Sequence, residues 1–100
     1  MLVRIVKMTF RDEAIEDFKI FFETRKATIR SFDGCEHLEL WQDSAKNNIF
    51  FTFSLWQNEE ALFHYRNSTF FRETWQQTKQ LFAGKAEAWS LNQTLGVESC

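Results

Sequence analysis

Ile49-Phe50-Phe51-Thr52-Phe53-Ser54-Leu55-Trp56 reads IFFTFSLW, and how its two faces are covered decides the fold. Successive side chains of a strand point to opposite sides of its sheet, so a half-buried strand should alternate apolar with polar. Here Ile49, Phe51, Phe53 and Leu55 form one wholly apolar face, while Phe50, Thr52, Ser54 and Trp56 form a mixed one. Both faces therefore need cover, and the chain must supply one layer for each or borrow the second.

Working outward, the preceding Ser44-Ala45-Lys46-Asn47 is rich in turn formers and separates IFFTFSLW from another extended stretch, Cys35 to Asp43. The two should pair as a β-hairpin. Further back, Leu2 to Phe10 reads as a strand. Asp12 and Glu13 then open a helix whose stripe is Ile15, Phe18, Phe22, Arg25 and Ile29, and Asp33-Gly34 stops it. After the hairpin, Asn58 can cap a short helix carrying Leu62 and Tyr65, and Ser68 a second one carrying Phe71, Trp75, Thr78 and Phe82. Glu87 to Leu95 reads as the last strand. The order is β-α-β-β-α-β with a broken second helix. This predicts an α+β, ferredoxin-like sandwich: a four-stranded antiparallel sheet with its helices on one face. Residues 1–100 read as a single domain of a size that supports one core.

Matching the apolar faces of the hairpin sets Leu38 and Leu40 beside Phe51, Phe53 and Leu55 on the helix side. The outer face then shows Cys35, His37, Glu39, Trp41, Phe50, Thr52, Ser54 and Trp56. Aromatics are 17% of the chain, too many rings to hide in one small core, and an exposed patch of them marks an interaction surface. A second copy packing sheet to sheet is the expected cover, with Phe50, Trp56 and Trp41 at the interface of a homodimer.

Composition narrows the function. A net charge of −2 with interspersed signs gives no electrostatic footprint for nucleic acid and no polybasic patch for a membrane. No apolar run approaches the roughly 20 residues of a membrane span, and the alternating start is unlike a signal peptide, so a cytosolic protein is expected. Cys35 and Cys100 form no metal or redox motif and read as reduced spectators. The same element order occurs in RNA-recognition domains, but NNIFFTFSLW has neither the glycine nor the cation expected of a base-stacking sheet.

The run Trp56-Gln57-Asn58-Glu59-Glu60-Ala61-Leu62, followed by Tyr65-Arg66-Asn67-Ser68 and Phe71, resembles the antibiotic biosynthesis monooxygenase family. VRIVKMTF at Val3–Phe10 and FDGCEHLELW at Phe32–Trp41 are similar to the same family, so the resemblance spans nearly the whole chain. It implies a dimeric α/β barrel in which each subunit keeps its own pocket between sheet and helices. It further implies oxygenase chemistry on a small aromatic quinol-like or polyketide-like substrate with no metal or other cofactor. Tyr65 stands where the resemblance places a pocket aromatic or His. Trp75 stands where the haem-degrading branch carries its ligating His; an indole cannot ligate iron, which argues against haem degradation.

Among the remaining candidates, His37 lies two residues from Glu39, and an imidazole held by a carboxylate suits general-base work. Arg4 and Lys7 lie on opposite faces of the first strand, so one cation must point to the helix side and can meet an anionic substrate group or a developing enolate. Arg66 is a rim candidate beside Tyr65. Leu38, Phe51, Phe53 and Phe71 are expected to line the pocket. If the protein is an oxygenase, a deprotonated phenol would itself reduce dioxygen, and the protein would supply orientation, a proton acceptor and a dry cavity. The competing expectation is a ligand-binding dimer of the same fold without chemistry.

Overall fold

The computed structural model describes residues 1–94. Strands β1 (Leu2–Thr9), β2 (Cys35–Gln42), β3 (Ile49–Trp56) and β4 (Glu87–Asn92) form one antiparallel sheet in the order β2-β3-β1-β4. A 3-10 turn at Asp12–Ala14 leads into α1 (Ile15–Ser31), and the second helical segment is split into α2 (Glu59–Arg66) and α3 (Thr69–Lys79). This is the expected ferredoxin-like order. The expected end of β4 at Leu95, and Cys100, lie outside the described residues.

Both predicted caps form. The Asn58 side chain accepts from the Ala61 N–H at 2.9 Å, and the Ser68 hydroxyl accepts from the Phe71 N–H at 3.1 Å. Each satisfies an N–H that the first helical turn leaves without an intrahelical partner. Ser68 also donates to the Tyr65 carbonyl at 2.6 Å, so the break between α2 and α3 is a bonded corner. Gly34 has φ +85°, and a Cβ there would run into the Ala61 side chain. Only glycine combines that backbone conformation with so close an approach of α2.

The faces of β3 are reversed from the sequence expectation, whereas β2 keeps Leu38 and Leu40 on the helix side and His37, Glu39 and Trp41 outside as expected. Phe50 and Trp56 are 2% and 1% exposed beneath the helices, so they are not on the open face and cannot be interface residues. The register pairs Leu2 with Trp56, Arg4 with Ser54, Val6 with Thr52 and Met8 with Phe50, and this whole set faces the helices. Ile49, Phe51, Phe53 and Leu55 face outward with their partners Thr9, Lys7, Ile5 and Val3. Two features account for the difference. A register shift between Cys35 and His37 turns Cys35 to the helix side together with Leu38 and Leu40, while His37, Glu39 and Trp41 stay outside. In addition, Leu38 pairs with Ser54 and Leu40 with Thr52, so the hairpin joins apolar to hydroxyl residues rather than apolar to apolar. The more apolar face of β3 is the one that no helix among the described residues covers.

Beneath the helices, the buried side chains fall into two clusters at opposite ends of the central strands. Leu2, Trp56, Ile29, Cys35, Leu62 and Tyr65 form one, and Met8, Phe50, Phe10, Ile15 and Phe18 the other. In the second cluster Phe10 stacks on Phe18 with centroids 4.1 Å apart and meets Phe50 edge-on at 5.7 Å. In the first, Trp56 stacks on Tyr65 at 5.0 Å. Between the clusters, β1 presents Arg4 and Val6, and β3 presents Thr52 and Ser54. No helix among the described residues is long and apolar enough to cross a membrane.

Candidate active site

The gap between the two clusters is a cavity of about 320 Å³. Arg4, Val6, Thr52 and Ser54 form its sheet-side floor, and Tyr65, Phe71, Thr74 and Trp75 close it from α2 and α3. Its size and its mostly apolar lining, with an aromatic wall on the helix side, suit a small flat ligand. The register explains why it exists. Where an apolar pair would have filled the space, the central strands place two hydroxyls and a guanidinium, and the helices bridge across them.

The polar groups are few and specific. The Ser54 hydroxyl accepts from the Trp56 indole N–H at 3.0 Å and donates to the Arg4 carbonyl at 3.5 Å, which ties the floor to the Trp56 wall. The Arg4 guanidinium donates to the Ser90 hydroxyl of β4 at 3.0 Å. Burial, and secondarily the charge of Arg66, lowers the proton affinity of Arg4 from its ordinary value. The Thr78 hydroxyl donates back to the Thr74 carbonyl at 2.7 Å. The Thr74 hydroxyl, by contrast, is buried without a partner among the described residues, and it lines the cavity.

Tyr65 is held on three sides: stacked on Trp56, and edge-on to Phe32 at 4.9 Å and to Phe71 at 5.0 Å. Burial first, and the nearby Cys35 second, pushes its phenol well above the ordinary value of 10.0. The phenol therefore keeps its proton at any physiological pH and acts toward a ligand as a hydrogen-bond donor, not as a base. Trp75 stacks in parallel on Phe71 at 6.0 Å and meets Phe82 edge-on at 5.6 Å, completing an aromatic wall.

Of the expected site residues, Arg4, Leu38, Tyr65, Arg66, Phe71 and Trp75 all line this cavity. The others do not. Phe51 and Phe53 lie on the open face, where Phe53 stacks on Trp41 at 4.9 Å. Lys7 shares that face and sits 4.0 Å from Glu87. His37 pairs with Glu39, whose other oxygen accepts from the Trp41 indole at 2.8 Å. The indole, then the imidazole, holds the Glu39 carboxyl below its usual range. This His-Glu-Trp row is separated from the cavity by the sheet itself, so His37 cannot serve as a base there. Cys35 is buried and free. Sequence reasoning missed Thr52, Ser54, Thr74 and Ser90. The hydroxyls of IFFTFSLW were the available signal: two polar side chains on a face that also ends in Phe50 and Trp56 mark a gap in a core.

The sequence model of one family, antibiotic biosynthesis monooxygenase, matches residues 1–77, and the chain belongs to that family. No curated protein is similar enough in sequence to count as a relative. Among solved structures, one named antibiotic biosynthesis monooxygenase superposes with a TM-score of 0.88 at 16% identity, over 95% of this chain and 100% of that one. A conserved protein from Methanosarcina mazei Go1 gives 0.87 at 17% identity, over 94% of each chain. A variant of SnoaB, a cofactor-independent oxygenase from Streptomyces nogalater, gives 0.87 at 14% identity, over 98% of this chain and 97% of that one. At these identities the likeness establishes the fold.

Two predictions come from the cavity. Tyr65 is the only tyrosine in the chain, so tyrosinate absorbance during an alkaline titration reports it alone. Above pH 10 the unfolded chain would ionise while the folded phenol does not, so this group's contribution to stability is intact below pH 10 and is lost as pH rises. Tyrosinate should appear only together with loss of the near-ultraviolet circular dichroism, and titration near pH 10 in the folded protein would contradict the burial. Thr74→Val should raise the unfolding free energy in urea by about 1 kcal/mol, because it removes a buried unpaired hydroxyl at little cost in shape. A loss of stability would mean that the hydroxyl is satisfied in solution.

Proposed function

We propose that the protein is a cofactor-independent monooxygenase acting on a small, electron-rich aromatic of quinol-like or polyketide-like form. The observation that carries this reading is the cavity: an apolar chamber between the aromatic wall of Tyr65, Phe71 and Trp75 and the Thr52/Ser54 floor, in a chain of the monooxygenase family. The likeness in fold to the cofactor-independent oxygenase from Streptomyces nogalater supports it.

A substrate seated there stacks against Trp75 and places an oxygen within reach of the Tyr65 phenol, a donor that strengthens as charge develops on that oxygen. Ionisation of the substrate, its proton passing to solvent, gives a carbanion or phenolate that passes one electron to dioxygen. Recombination of the substrate radical with superoxide gives a carbon-bound peroxide anion, which takes a proton back from solvent to become the hydroperoxide. Loss of water then leaves a carbonyl, so that a ring CH2 and O2 become C=O and H2O. The chain supplies orientation and exclusion of water.

The working unit in this reading is a cytosolic homodimer joined through the open sheet face. Phe51, Phe53 and Leu55 lie there beside Val3 and Ile5 of β1, with Trp41, Trp89 and Leu91 between 42% and 48% exposed. So large an apolar patch supports an interface. The interface residues are therefore Phe51, Phe53, Leu55 and Trp41 in place of Phe50 and Trp56. A second reading, a binding dimer without turnover, is favoured by one observation, the lack of a base at the cavity among the described residues: Tyr65 holds its proton, and the carboxylate of Glu87, the acidic residue bordering the cavity, is turned to Lys7 on the open face.

Oxygen uptake by the metal-free protein should exceed the protein-free rate with at least one anthrone or naphthoquinol, and Trp75→Ala should abolish the excess. Binding of those compounds with no uptake would favour the second reading. Phe53→Glu should give monomers, or insoluble protein, by sedimentation. An unchanged dimer would contradict the assignment of the open face as the interface.

A further inference from the structure

Arg4 and Arg66 reach the same end of the cavity from different elements, β1 and the last residue of α2. Neither forms an ion pair among the described residues. Arg4 is half-buried, bonded only to the neutral Ser90 hydroxyl, and close enough to Arg66 for the second charge to lower its proton affinity. Two like charges converging on one cavity repel each other, and burial of one of them costs more unless an anion joins them.

The carboxylates nearby do not fill that role. Glu87 lies three residues along β4 from Ser90, about 10 Å away, and faces Lys7. Glu59 and Glu60 line an adjoining depression with Arg66, but Glu60 pairs with His64 at 3.5 Å and neither bonds to Arg66. The rest of the cavity lining among the described residues is aliphatic, aromatic or hydroxyl-bearing and carries no further charge.

We infer that the ligand of this cavity is an aromatic carboxylate, its rings against Phe71 and Trp75 and its carboxylate shared between Arg4 and Arg66. Two planar guanidiniums are matched by a group that presents two oxygens and about four lone pairs, which an ionised phenol does not. The carboxylate is charged at neutral pH without help from the protein, so the site binds it ready-made. Arg4 sets the depth, because its position is fixed by Ser90, and Arg66 at the exposed rim closes over the anion. This inference rests on the cavity being the ligand site, but it does not require that the ligand be oxidised.

Calorimetric titration of the full chain with 2-naphthoate and with its neutral isostere 2-naphthamide tests it. The acid should bind about tenfold to a hundredfold more tightly, and the preference should shrink with added salt. Arg4→Gln and, separately, Arg66→Gln should each remove most of the preference, the affinity for the acid falling toward that for the amide. Arg66 is exposed, so its variant should fold even if that of Arg4 does not. Equal binding of acid and amide, or a preference that survives in Arg66→Gln, would overturn the anion site while leaving the aromatic cavity standing. No binding of either compound would overturn both.

Discussion

The burial of Trp56 sets the parity of β3, and the rest of the molecule depends on that parity. With its indole 1% exposed, stacked on Tyr65 and bonded to Ser54, Trp56 turns every second residue of IFFTFSLW toward the helices. A slip of one residue would exchange the faces completely, because the side-chain period of a strand is two. Phe50 at the other end holds the same parity through its contacts with Phe10 and Phe18. Removing the indole of a residue so buried would cost about 3–5 kcal/mol, a large share of the stability of a small domain.

Parity then divides the work between the two faces of the sheet. On the inner side, aromatic anchors at both ends of β1 and β3 leave Arg4, Val6, Thr52 and Ser54 in the middle, and the helices span that gap without filling it. A continuous apolar row there would give a better core and no cavity. On the outer side, the row that would have made the better core is left facing away from the chain. The sequence thus gives up hydrophobic burial on one face of the sheet and leaves apolar surface exposed on the other.

Much of this was legible before the structure. The order of elements, the hairpin, both caps, the break after Asn67 and the cavity residues Tyr65, Phe71 and Trp75 follow from period, capping residues and family resemblance. The faces of β3 were not. The rule that the more apolar face is the buried one assumes that a fold fills its core with its own side chains, and here Thr52 and Ser54 line an internal cavity instead. The register shift after Cys35 added to the error, since a shift of one residue in β2 is invisible in the pattern of CEHLELWQ. Phe51 and Phe53 were misplaced as pocket residues, and Phe50 and Trp56 as interface residues, for this single reason, whereas His37 lies on the open face where the sequence put it. Ser90 and Thr74 carry no signal of their own in a sequence; only the register brings Ser90 to Arg4, and only the helix packing brings Thr74 to the cavity.

The four tryptophans sort cleanly by face, and this allows one direct measurement. Trp56 and Trp75 border the cavity, whereas Trp41 and Trp89 lie on the open side of the sheet. In protein labelled with nitrogen-15 at the indoles, addition of 2-naphthoate should move the Trp56 and Trp75 resonances and leave Trp41 and Trp89 nearly in place, while Phe53→Glu should move the second pair and spare the first. Ligand shifts confined to Trp41 and Trp89 would contradict the assignment of the two faces.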